Sequence, residues 1–218
     1  MPVPTPREAF ALLIRTWEGE WTAHPNDSGN YVTLEDGSRR LVGTMRGVTA
    51  NAFASWKKIP PGTVTPAMMQ AEVTLDLASA LFERDYFRGT KLDRLVWSPF
   101  TEIAADIAWG SGPVRAVKLV QEVVGAVVDG GIGPQTVEAV DFYLEATPIA
   151  EACDALADRR AAFYRAISEP GTKNAVFRQG WLNRANWGRP SNAAWWKRWE
   201  GWAMPHPAGN MKPTGIMR

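Results

Sequence analysis

The sequence predicts a mostly α-helical protein with one small β-hairpin at about residues 30–48, and three observations carry that expectation. A small capping residue followed by proline recurs at Thr5-Pro6, Thr65-Pro66, Ser98-Pro99, Gly112-Pro113, Gly133-Pro134 and Thr147-Pro148. Proline suits the first helical position because the amide hydrogen it lacks has no intrahelical partner there, and a preceding Ser or Thr accepts a bond from an orphan amide. Apolar residues also recur at helical spacing, as in Phe10, Leu13, Ile14, Trp17 and again in Met69, Val73, Leu77, Ala80, Leu81. Finally, only one stretch reads as strand: Tyr31-Val32-Thr33-Leu34 and Leu41-Val42-Gly43 flank Asp36-Gly37, a strong hairpin signal.

The elements follow in order. Thr5-Pro6-Arg7-Glu8 is a capping box and opens a helix over 6–18. After the hairpin, helices are expected over 50–58, 66–88, 99–109, 113–124, 134–145, 148–168, 174–187 and 192–203. Val114, Val117, Leu119, Val120 and Val124 supply the apolar face of the helix over 113–124. Between it and its successor, Asp129-Gly130-Gly131-Ile132-Gly133-Pro134-Gln135-Thr136 reads as a loop closing one helix and starting the next. Beyond Trp202 the run of Pro205, Pro207, Gly209, Pro213 and Gly215 reads as an extended or disordered tail.

Composition narrows the function. The chain has 218 residues, 45% hydrophobic and 22% charged, values of an ordinary globular protein. No apolar run approaches the roughly 18 residues that span a bilayer. Met1-Pro2-Val3-Pro4-Thr5-Pro6 lacks a basic and then hydrophobic leader, so synthesis in the cytoplasm without a signal peptide is expected. Cys153, the sole cysteine, cannot form an intrachain disulfide and is expected to be a packed thiol without chemistry. His24, His206 and Cys153 lack metal-ligand spacing, so neither a metal nor any other cofactor is expected.

The net charge of +1 gives no argument for nucleic acid, but its distribution is uneven. Residues 171–218 hold eight basic residues against Glu200 alone, a net of +7, and six of the eleven tryptophans. Trp195, Trp196, Trp199 and Trp202 form a stripe beside Lys197 and Arg198. Two readings of that stripe stand side by side: a helix packed on the body of the protein, or an interfacial helix adhering to an anionic envelope or membrane surface.

Trp17-Glu18-Gly19-Glu20-Trp21 closes the first helix, and a turn-rich stretch follows in which eight residues separate Asp27 from Glu18 and five separate Thr33 from Asp27. Cutting a glycosidic bond needs one protonated carboxyl to help the leaving oxygen depart and one ionised carboxylate to hold a water or steady the cation. An apolar helix end disfavours a bare carboxylate, the condition under which a carboxyl keeps a proton to give. Glu18 equally fits an exposed helix C-terminus, Asp27 fits an Asx-turn, and Thr33 is a common strand residue.

Four segments together resemble the glycoside hydrolase family 108 N-acetylmuramidases. They are Trp17-Glu18-Gly19-Glu20-Trp21 with His24-Pro25-Asn26-Asp27-Ser28-Gly29 and Gly47-Val48-Thr49; Asp106-Ile107-Ala108-Trp109-Gly110-Ser111-Gly112-Pro113; Asp129 to Thr136; and Phe177-Arg178-Gln179-Gly180-Trp181-Leu182-Asn183-Arg184. The spacing Glu-x8-Asp-x5-Thr also resembles the catalytic triad of phage-type lysozymes. The family has Gly where Glu20 stands, Tyr at Trp21 and Asn at Gly110.

The resemblance implies a lysozyme-like fold and hydrolysis of the β-1,4 bond between N-acetylmuramic acid and N-acetylglucosamine. It implies Glu18 as catalytic acid, with Asp27 and Thr33 positioning water, and Glu20, Trp21, Thr49, Trp109 and Ser111 as substrate-binding residues. Residues 1–100 are expected to carry the acid helix and hairpin. Residues 100–190 would complete the cleft and hold a peptidoglycan-binding region, and 190–218 would form a basic, Trp-rich helix and tail. The implied partner is bacterial peptidoglycan and the implied protein a monomeric phage or prophage endolysin, reaching the wall by a holin-type route. Two alternatives stand: a lytic transglycosylase on the same fold, and a non-catalytic wall-binding or structural protein.

Overall fold

The structure, a computed structural model, describes residues 2–205. Helix α1 (Pro6–Trp17) begins as its capping box requires: Thr5 Oγ1 accepts from the Glu8 amide at 3.3 Å, and the Glu8 carboxylate accepts from the Thr5 amide at 2.8 Å. At Glu18 the backbone leaves the helix (φ −98°, ψ 110°) while its amide still donates to Ile14 O. The helix therefore ends with this residue as its cap.

The predicted hairpin is resolved into two small antiparallel sheets. β2 (Tyr31–Thr33) pairs with β3 (Arg39–Leu41), Thr33 opposite Arg39, around the expected Asp36-Gly37 turn. β1 (Trp21–Thr22), β4 (Thr44–Met45) and β5 (Val48–Thr49) form the second sheet in the order β1-β4-β5. Buried Asn30 causes the split. Its carbonyl accepts from both Val42 and Gly43 amides, and its side chain bonds His24 O and Thr44 Oγ1. Gly43, at φ +92°, sits where a Cβ would lie 2.6 Å from Thr22 O, so only glycine lets the chain pass from one sheet to the other.

The helices are α2 (Ala50–Lys57), α3 (Pro66–Glu72), α4 (Leu75–Leu81), α5 (Pro99–Ser111), α6 (Pro113–Val124), α7 (Pro134–Ala146), α8 (Ile149–Ile167), α9 (Arg178–Trp187) and α10 (Ala193–Trp196). The helix expected over 66–88 is broken: Thr74 turns extended (ψ 165°) and caps α4 by accepting from the Leu77 amide at 3.1 Å. α4 then runs into a π-helical turn, Phe82–Arg88. The helix expected over 174–187 opens with a 3-10 turn (Ala175–Phe177), and that over 192–203 shrinks to α10 and a 3-10 turn, Lys197–Trp199.

α5 is the central element. Every residue from Pro99 to Ala108 is buried, and the helix packs against α1, α6, α8 and the π-helical turn. One continuous core runs from Ala9 to Trp199 across these helices. Within it Phe10 stacks on Phe82 with ring centres 4.1 Å apart, and burying each such ring contributes about 1.5–3 kcal/mol.

The C-terminal stripe belongs to this core. Trp195 is 1% exposed and Trp199 4%. Trp199 Nε1 donates to Glu102 Oε2 at 2.8 Å, Arg198 pairs with Glu102 at 3.0 Å, and Trp202 Nε1 donates to Trp97 O at 3.0 Å. Of the two readings of the stripe, packing is the one observed, because these indoles are used inside. Much of the basic charge is answered internally as well: Arg184 faces Glu18 and Asp106, Arg189 faces Asp154 and Asp158, and Arg198 faces Glu102. Most of the expected tail, with Lys212 and Arg218, lies outside the described residues. Among those described, no helix is long and apolar enough to cross a membrane.

Candidate active site

Glu18 projects from the end of α1 into a junction made by three distant parts of the chain. Its Oε1 accepts two hydrogen bonds, from Trp109 Nε1 of α5 at 3.0 Å and from Arg184 Nη1 of α9 at 2.7 Å. Its Oε2 accepts none among the described residues. Glu18 retains 18% of its side-chain exposure, so the carboxyl is anchored by one oxygen and open through the other.

The third part is the β4–β5 turn. Met45 and Val48 pair across a two-residue loop, Arg46-Gly47, in which both residues have positive φ (51° and 75°), the twist that a tight hairpin demands. A Cβ on Gly47 would lie 2.9 Å from Glu18 Cδ and 2.6 Å from Trp109 Nε1. Glycine here both makes the turn and lets the backbone approach the carboxyl.

Behind Glu18 runs a chain of buried charges. Arg184 donates from Nε and Nη2 to Asp106 Oδ1, at 3.0 and 2.6 Å, and Arg160 Nη1 donates to Asp106 Oδ2 at 2.6 Å. Arg160 Nε reaches Tyr164 Oη at 3.1 Å, and Tyr164 Oη lies 3.0 Å from Ser111 Oγ. The Asp106 carboxylate and the Glu18 carboxyl thus face two guanidiniums in a largely dry place, where charges persist only when paired and hydrogen-bonded. Burial raises the Asp106 carboxyl, but Arg160 and then Arg184 outweigh it and hold its pKa below the ordinary value. Burial likewise opposes the charge on Arg184, and Asp106 and then Glu18 outweigh it, keeping the guanidinium protonated.

Trp109 is fixed in turn. The π-helical turn presents both Phe82, stacked at 4.7 Å, and Tyr86, edge-on at 4.9 Å, to its indole. The wider π-helical winding is often found at functional sites, and here it lets residues four apart flank one ring.

The other residues singled out by sequence are placed as follows. Asp27 caps a 3-10 turn (Ser28–Asn30), its Oδ1 accepting from the Gly29 amide at 2.9 Å, an Asx-turn. Across Gly29, whose Cβ position is 3.2 Å from Asp27 Oδ1 and 3.5 Å from Thr49 Cγ2, it neighbours Thr49, which caps α2. Thr33 is exposed on β2 and lines a groove of about 540 Å3 with Asp36, Arg40 and Pro60–Thr63. Glu20 is exposed and pairs with Arg46 at 3.3 Å, and Trp21, 41% exposed, donates to Val42 O. The structure therefore joins Glu18 to Trp109 directly and to Ser111 through the charge chain. No hydrogen bond among the described residues links Asp27 or Thr33 to Glu18.

Sequence reasoning assigned no role to Asp106, Arg160 or Arg184. Asp106 and Arg184 stand at the ends of two of the motif segments, and that position was the available signal. Arg160 had none beyond being an arginine on an apolar helix face. The Asp129–Thr136 loop is organised by a residue outside the motif. Buried Gln121 donates to Asp129 Oδ1, Gly131 O and Thr136 Oγ1 and accepts from the Gly130 amide. Cys153 is buried, and burial pushes its thiol pKa far up. No group of three or more His, Cys, Asp or Glu placed to hold a metal occurs among the described residues.

Comparison with known proteins agrees with this architecture. Residues 11–112 match the family described as glycosyl hydrolase 108, and residues 115–186 match the family described as "Predicted Peptidoglycan domain". The two matches meet at the Gly112 turn between α5 and α6. The solved structure of Brucella abortus SagA superposes with a TM-score of 0.65 at 27% identity, covering 87% of this chain and 94% of that one. No curated protein sequence matches the chain.

Proposed function

The chain joins a glycosyl hydrolase 108 domain to a peptidoglycan domain and is a glycoside hydrolase acting on peptidoglycan, and from that premise we propose that it is an N-acetylmuramidase with Glu18 as its general acid. The observation that carries this reading is the asymmetric anchoring of the Glu18 carboxyl. Oε1 is held by Trp109 and Arg184 while Oε2 is left open beside the Gly47 backbone. Oε2 carries the proton and delivers it to the departing glycosidic oxygen. The guanidinium of Arg184 then stabilises the carboxylate that remains, a charge-assisted bond already in position before the reaction.

On the resemblance to phage-type lysozymes, Asp27 and Thr33 hold the attacking water. With Asp27 Oδ1 bound to the Gly29 amide, Oδ2 is the oxygen available for that task. The bond cut is the one between N-acetylmuramic acid and N-acetylglucosamine.

Glu18→Gln tests the assignment. The amide keeps the shape and one acceptor oxygen but has no proton to transfer. Clearing of purified walls is expected to fall at least ~10²-fold with the melting temperature little changed. Activity above about a tenth of the parent's, given that expected loss, would remove Glu18 from the acid role. Mass spectrometry of the wild-type digest decides the step that follows: reducing N-acetylmuramic acid ends mark hydrolysis, and 1,6-anhydro ends mark a transglycosylase.

The proposed biological role is that of a phage or prophage endolysin, made in the cytoplasm and released to the wall by a holin-type route. The similarity of its motif set to such enzymes supports this role. Expression in a bacterial cytoplasm is expected to leave cells intact until a holin is co-expressed. Lysis without a holin would set the release route aside.

A further inference from the structure

The junction of α5 and α6 has a feature that bond cleavage at Glu18 does not use. α5 ends at Ser111, the chain turns at Gly112 (φ +88°), and a groove of about 460 Å3 opens there, lined by Ser111, Gly112, Val114, Arg115, Lys118 and Phe163. One lining residue also touches the charge chain: Ser111 Oγ contacts Tyr164 Oη, which accepts from Arg160 Nε.

The wall of the groove is cationic. Arg115 is exposed, and its guanidinium lies 4.4 Å over the Phe163 ring, a cation–π contact. Neither Arg115 nor Lys118 enters an ion pair among the described residues. Asp129, the acid whose charge Lys118 influences, has Oδ1 occupied by Gln121 Nε2 and the Gly131 amide, both at 2.8 Å.

We propose that this groove is a subsite for the carboxylate-bearing peptide arms of a glycan strand, so that the enzyme selects peptide-substituted over bare glycan. The inference rests on the peptidoglycan-cleaving reading above and names which form of that substrate is preferred. A bare strand carries one lactyl carboxylate on each N-acetylmuramic acid; an arm ties up that group as an amide but brings several carboxylates of its own, so the strand's carboxylate count rises with the arms. Two cations without an ion pair among the described residues gain more from the several carboxylates of an arm than from the single lactyl carboxylate of a bare strand. The groove shares Ser111 with the network of side chains that reaches Glu18.

The test reads binding with cleavage switched off. The full-length Glu18→Gln chain is titrated with soluble glycan fragments that keep their peptide arms, and with the same fragments after an amidase has removed them. Arm-bearing fragments are expected to bind about tenfold more tightly. Adding Arg115→Gln and Lys118→Gln is expected to bring the two affinities together, with the loss larger at low salt than at high salt. Glutamine keeps most of each stem. A Lys118→Gln single variant, which leaves the Arg115–Phe163 contact intact, is expected to lose about threefold of the preference. Equal affinity of the parent for both fragments, or an equal loss for both in the variants, would overturn the proposal. If instead the wild-type chain released no fragments from walls while this binding preference held, the cleavage reading would fail and the subsite would stand.

Discussion

Two carboxylates sit one turn apart on α5, Glu102 and Asp106, both buried, and each takes a guanidinium from the C-terminal part of the chain. Glu102 receives Arg198 together with the Trp199 indole, and there the network stops. Asp106 receives Arg184 and Arg160, and through Arg184 the network continues to Glu18 and the solvent. The same local chemistry therefore serves two ends. At Glu102 it fastens the last turn of the chain onto the core. At Asp106 it holds a guanidinium that in turn holds the Glu18 carboxyl. What separates them is the second arginine: at Asp106 two cations outweigh the cost of burial, whereas at Glu102 burial prevails over Arg198 and Trp199 and pushes the carboxyl's pKa up. The buried acid linked to Glu18 is given two arginines, and the one that fastens the last turn of the chain is given one.

Substitutions at the two positions break this comparison in different ways. Asp106→Asn leaves two buried guanidiniums without their counter-charge and is expected to cost about 3–5 kcal/mol in urea unfolding, with wall-clearing activity lost because Arg184 is no longer held. Glu102→Gln keeps an acceptor for the Trp199 indole and lets Arg198, 17% exposed, turn toward water, so a cost of about 1–2 kcal/mol is expected.

Their pH profiles should run oppositely. Asp106 is depressed below its ordinary 3.8, so its contribution is fully present above that value and is lost as pH falls through the lower folded value. Glu102 is raised above its ordinary 4.5, so its contribution is present below that value and declines as pH rises through the folded one. Unfolding midpoints measured against pH should show Asp106→Asn with a flattened acid limb and Glu102→Gln with a flattened slope above 4.5. Identical profiles for the two variants would mean that both carboxylates are simple fasteners.

The smallest effect sharpens the same contrast. Gly110→Asn places an amide oxygen near the unpartnered Arg160 Nη2, its Cβ making only ordinary contacts of 3.7–3.9 Å. It is expected to stabilise the fold by about 1 kcal/mol, from the lost glycine flexibility and one new bond. A lowered melting temperature would show that the space at Gly110 is already needed.

The helices that open with a capping residue and proline were legible because their signals are local. Thr5, Thr65 and Ser98 each accept the amide bond that their sequence position announces. Glu18 at the end of α1 was legible for the same reason. The break at Thr74 was not, since a threonine inside an apolar stripe reads as helix until its side chain is seen capping Leu77. Strands of two residues such as β4 and β5 carry no periodicity at all, and Arg46-Gly47 became a recognisable turn only once Glu18 and Trp109 were found against it. The charge chain was invisible because its members are 24 to 166 residues apart and nothing in a linear pattern pairs them. The tryptophan stripe misleads in the opposite sense: its spacing is equally that of an adhesive face and of a core face, and only the partners Glu102 and Trp97 distinguish them.

The bond between Glu18 and Arg184 spans 166 residues. Translation delivers the N-terminal end first, at about 5–20 residues per second, so Glu18 leaves the ribosome on the order of 10–30 s before its guanidinium exists. During that interval the nascent chain has the acid but not the group that holds it, and a product truncated anywhere before α9 never acquires it. The carboxyl's setting is thus a property of the nearly finished chain and not of the helix that carries it.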